Sequence, residues 1–176
     1  MQRRDILKAG LAAAFFYNSA AQAQTPYKQW QVYRKKHLLI GCLKDRPLTY
    51  ELAKTLVNLF ANELPRANAR VARAPNSQRI ASLMATGQLD TAIIPVSLLT
   101  DMATGNGVYA AYGKIPLRVI FLFENLALVG LDSMPDHHAL LIHNALLTDY
   151  AVDSNFHAAG SEPKVPWHHG IVEHGL

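Results

Sequence analysis

Met84-Ala85-Thr86-Gly87-Gln88-Leu89-Asp90-Thr91-Ala92-Ile93-Ile94 holds a helix end, a turn and a strand in one short run. Upstream of it, Ile80, Leu83 and Met84 share one helical face, Asn76 or Ser77 can cap the helix, and Gly87 falls just past its end. Downstream, Thr91 to Ile94 reads as a strand that Pro95 stops. The same alternation appears further toward the amino terminus. Leu38-Leu39-Ile40-Gly41 suits a buried strand, Asp45 or Thr49 can cap a helix carrying Leu52, Leu56, Leu59 and Phe60, and Ala69 to Arg73 suits a second strand. Pro47 is tolerated in the first turn of that helix, and Pro65 ends it.

Strand, helix, strand, helix, strand with short connections predicts a parallel sheet with right-handed crossovers. Ligands of such sheets bind where the strands end at their carboxyl termini. The loops expected there are Cys42 to Leu48, Ala74 to Gln78 and Pro95 to Ser97.

Further along, Thr104 to Tyr109 is a glycine-rich surface loop, and Leu117 to Phe123 and Leu126 to Leu131 are apolar enough for two more strands. After a break at Asp132 to Asp136, Ala139 to Tyr150 reads as an amphipathic helix with His143 on or near its apolar face. The tail, Ala151 to Leu176, reads as irregular.

The 176 residues are half apolar and only 17% charged, which excludes disordered, collagen-like and low-complexity chains. A single cysteine, Cys42, excludes an internal disulfide framework and a cysteine-built zinc module. The formal charge of +4 is partly an address. Arg3-Arg4-Asp5-Ile6-Leu7-Lys8 is a twin-arginine box, Ala9 to Phe16 is a short apolar core, and Ala21-Gln22-Ala23 fits a signal-peptidase site. Without residues 1–23 the chain keeps 14 basic and 12 acidic groups. A periplasmic destination follows, with no nucleic-acid partner and no transmembrane segment in the mature chain. The expected organisation is a signal at 1–23, a mobile lead-in at 24–36, an α/β lobe at 37–131 and a C-terminal helix with a His-rich tail at 132–176 that packs on the lobe.

Three kinds of chemistry are open to these residues. The helix start at Asn76-Ser77-Gln78 offers free N–H groups to a carboxylate, with Lys44 or Arg46 supplying charge and Ser97 in the third loop. Seven of the eight histidines lie between His137 and His174, so His157, His168, His169 and His174 are candidate ligands for copper or zinc. Their spacing is not that of a known zinc motif, and no metal site is assigned to them. Cys42 formally permits a Cys-His pair, but nothing positions a histidine against it, and a lone buried cysteine packs as a small apolar residue. No enzyme activity and no cofactor are expected.

The run from Pro75-Asn76-Ser77-Gln78-Arg79-Ile80 through Ile94 resembles the first lobe of type 2 periplasmic binding proteins, and within them is most similar to the TAXI family of solute receptors for TRAP transporters. Pro116 to Gly130 resembles the strand pair before the crossover to the second lobe, and Val165-Pro166-Trp167-His168-His169-Gly170 is similar to a segment near that family's C-terminus. The resemblance implies a single lobe of that fold, with a three to five stranded, mostly parallel sheet flanked by helices. It also implies a small carboxylate-like solute or a membrane transporter subunit as partner. Two departures stand out. The family's glycine-rich first loop is replaced by Cys42-Leu43-Lys44-Asp45-Arg46-Pro47, and the chain is too short for a second lobe. A lobe that lost its counterpart favours a homodimer or a docking role, which is the alternative to solute capture. Metal binding through the tail is the other alternative.

Overall fold

A computed structural model describes residues 33, 36–150 and 164–174, with side chains at all of these except 149, 150 and 174. Five strands form one mixed sheet: β1 Leu39–Leu43, β2 Arg70–Ala74, β3 Thr91–Pro95, β4 Leu117–Phe123 and β5 Leu126–Leu131. Their order is β2-β1-β3-β5-β4. β1 runs parallel to β2 and β3, whereas β5 runs antiparallel to both β3 and β4. The helices are α1 Pro47–Glu63, α2 Ser77–Ala85, α3 Val96–Thr104, α4 Asp136–Tyr150 and α5 His169–His174. This is the α/β lobe with a flanked sheet that the strand and helix pattern predicts.

Strand alternation sorts the core into two layers. Ile40, Cys42, Ile93, Ile120 and Leu128 face α1 and α4, packing on Leu56, Phe60, Ile142 and Leu146. Leu43, Ala92, Ile94, Val119 and Val129 face the other way, onto Ile80, Met84, Leu99 and Met102 of α2 and α3. His143 is buried on the α4 face, its Nδ1 2.8 Å from the Ile120 carbonyl oxygen, as a packed core histidine would be.

Local chemistry differs from expectation at three places. Neither Asp45 nor Thr49 caps α1, whose N-cap is Arg46 without a side-chain bond. Thr49 is instead buried inside the first turn. It accepts the Leu43 N–H at 2.9 Å and donates to the Arg46 carbonyl at 2.8 Å, tying the end of β1 to α1. Ser97 belongs to the first turn of α3 and not to a loop, because α3 starts directly after Pro95. The tail is ordered where it is described. Pro166 and His168 pair with the outer edge of β4, the Val119 N–H donating to Pro166 and the His168 N–H to Val119, both at 2.9 Å.

Asn76 caps α2 in extended conformation and accepts the Arg79 N–H at 3.0 Å. Asn76→Ala leaves that donor without its partner, and stability is expected to drop by about 1 kcal/mol in denaturant unfolding. No loss would mean that another group takes the Arg79 N–H.

No helix among the described residues is long and apolar enough to cross a membrane.

Candidate functional site

At the carboxyl ends of the parallel strands, the first two of the expected loops lie side by side, and the third is replaced by the start of α3. The Lys44 N–H donates to the Ala74 carbonyl at 2.8 Å, so the first loop lies against the second. Two polar side chains of the second loop are already engaged. Asn76 is occupied by the Arg79 N–H, and Ser77 Oγ accepts from Tyr109 Oη at 2.8 Å, which fastens α2 to the 107–112 turn. Gln78 is half-buried. Lys44, Arg46 and Ser97 are exposed, and among the described residues neither cation is bonded to Asn76 or Ser77. Asp45 stands exposed between the two cations, and Leu48 beside them is 75% exposed. The geometry is therefore an open face of mixed charge around one protruding leucine.

Cys42 sits in the core under α1, and burial pushes its thiol above the ordinary range, with Arg73 opposing this weakly. It remains a protonated, apolar group, unlike an activated nucleophile.

The opposite end of the sheet holds a cleft of about 720 Å³. Leu38 and Leu39 enter β1 there, Leu64 to Ala67 precede β2, Gln88 and Asp90 precede β3, and Ser133 to Pro135 follow β5. These segments meet because β5 runs backwards, pairing Gly130 with Thr91. Its floor is apolar, and Lys36, Arg66, His138 and Glu63 stand at its walls. Reading along the chain misses this cleft, since its walls come from five separate segments that share no motif.

The histidine candidates divide. His157 lies outside the described residues, and so does the side chain of His174. His168 is fully buried with Nδ1 3.5 Å from Asp136 Oδ1, while exposed His169 places Nε2 3.3 Å from Asp132 Oδ1. Asp132 is also held by Arg118 Nε at 2.6 Å, and that bond keeps its carboxyl below the usual range. The two rings thus serve different carboxylates. No group of three or more His, Cys, Asp or Glu among the described residues could hold a metal ion.

Burial pushes the His168 imidazole below its ordinary value, against the pull of Asp136, and His169 adds to the lowering. The Leu131 carbonyl and Asp132 oppose it. A folded value below the unfolded one means that stability is full above about pH 6.5 and is lost as pH falls below it, where the unfolded chain takes the proton first. The unfolding midpoint is expected to drop between neutral and mildly acidic pH, and less so in His168→Leu. Parallel curves for the two proteins would show that His168 does not carry the effect.

No protein-family model matches the chain, and no curated protein matches it.

Proposed function

We propose that this chain is a non-catalytic, exported, one-lobe binding module that docks a partner protein with the face at the carboxyl ends of β1, β2 and β3. The observation that carries the reading is that Asn76 and Ser77 are already engaged, by the Arg79 N–H and by Tyr109 Oη, beside a Lys44-Asp45-Arg46 run left exposed with Leu48. A carboxylate-like solute needs converging donors that are free to receive it. A macromolecule needs an apolar anchor with charges around it, which Leu48 and its neighbours offer. Export rests on residues 1–23, and the lobe type on the resemblance to TAXI receptors. The strand pair at 117–131 supports that resemblance, and the passage straight from β5 into α4 fits the one-lobe form. A membrane transporter subunit is the partner the resemblance favours, with a second copy of the chain as the alternative.

The amino-end cleft supports a second reading, binding of a small amphipathic solute at that end. Thermal unfolding against dicarboxylates, amino acids, Cu2+ and Zn2+ separates the readings. Saturating a site with ligand at a hundred times its Kd raises the midpoint by roughly 5–10 °C. The docking reading expects no shift. A shift abolished by Lys44→Ala with Arg46→Ala would restore solute capture at the strand ends. A shift abolished by Arg66→Ala with His138→Ala would move it to the cleft.

A further inference from the structure

We propose that the outer edge of β2 is a docking strand for an acidic, extended segment of a partner protein. This surface is separate from the carboxyl-end face, and the inference stands whether or not that face docks anything.

The register fixes which main-chain groups are available. The Arg70 N–H donates to the Leu38 carbonyl at 2.9 Å, and the Ala74 carbonyl accepts from the Lys44 N–H at 2.8 Å. Arg70, Ala72 and Ala74 therefore turn their main-chain groups toward β1, and Val71 and Arg73 turn theirs outward. β2 pairs only with β1 among the described residues. The N–H and C=O groups of Val71 and Arg73 make a short template for one more strand, bounded by the left-handed Asn68 on one side and Pro75 on the other.

The side chains decide what that strand is. Ala72 and Ala74 pack on the α2 side and Val71 on the α1 side, so Arg70 and Arg73 fall on opposite faces. Arg73 lies over the Tyr50 ring at 4.6 Å, which holds its guanidinium beside the edge. Both arginines are exposed, as are Arg66 and Arg79. From Leu64 to Leu89 the sequence has these four arginines and no acidic residue. Two copies of this edge would set arginine against arginine, which opposes self-pairing. The same charges favour a strand carrying carboxylates on both of its faces.

The test uses a short capped peptide of alternating valine and glutamate, with lysine in place of glutamate as control, titrated into the full chain by fluorescence anisotropy. The acidic peptide is expected to bind, more weakly as salt rises, and the basic one not at all. Val71→Pro removes an outward donor and leaves the bonds to β1 intact, so binding should weaken ~10-fold or more. Arg70→Glu with Arg73→Glu should reverse the preference between peptides. Amide exchange in the unaltered chain gives an arm independent of folding in the variants, with Val71 and Arg73 gaining protection when the acidic peptide is bound. Failure of the acidic peptide to bind overturns the proposal. So does binding that protects neither amide, or that a folded Val71→Pro variant retains in full.

Discussion

Phe60→Ala is expected to cost about 4 kcal/mol and to lower the unfolding midpoint by roughly 10 °C. Phe60 is fully buried near the end of α1, in the cluster where α1 and α4 meet the sheet. Its ring shares that cluster with Ile40 and Ile93 from the strands and with Ile142 and Leu146 from α4. Alanine leaves a void on several sides at once, and packed helices and strands close such voids only in part. Denaturant unfolding should show a lower midpoint concentration with an unchanged slope, the mark of lost stability without a change of state. A loss below about 1 kcal/mol would mean that α4 does not pack on α1 as described.

Gly170→Ala is expected to detach the C-terminal segment. A side chain at position 170 would drive its Cβ into the backbone of Asp136, with the carbonyl oxygen of that residue inside contact distance. A helix backbone cannot shift aside as a side-chain tip can, so relief comes from α5 moving away. That motion breaks the two hydrogen bonds between Val119 and the 166–168 segment and uncovers Val165, His168 and Ile171, all buried. The cost is about 3 kcal/mol, at the upper end of overpacking losses. Hydrogen exchange reads it directly, since the Val119 and His168 amides should lose protection while β1 and β3 keep theirs. Uniform loss across the sheet, or no loss at Val119, would contradict a tail that docks as a separate element.

Much of the β1-to-β3 half is legible in the sequence because its signals are local. Leu38 to Gly41, the Asn76 cap, Gly87 and Pro95 each mark a boundary by its own backbone preference, and each lies within a residue or two of the element observed. The tail is less legible. Val165 to His168 has no strand pattern, and its order comes from pairing with Val119, far away in sequence. The misread cap has the same origin, since a threonine that caps a helix and one that folds back onto Leu43 look identical in sequence.

For the site, the strand-end rule places the first two loops side by side but cannot say which side chains are already engaged. Ser77 reads as available until Tyr109, 32 residues on, is seen to hold it. The amino-end cleft escapes the rule altogether, because the reversed strand β5 brings its exit to the entry of β3.

The docking claim is tested most directly by a photo-crosslinking residue placed at position 48 of the full chain in its own cells, with position 141 as the comparison. Leu48 anchors the proposed face, whereas Leu141 is half-exposed at the cleft at the opposite end of the sheet. The account predicts a discrete protein adduct from position 48 that Lys44→Glu with Arg46→Glu removes, and none of that mass from position 141. No adduct at position 48, or the same adducts from both positions, would contradict it.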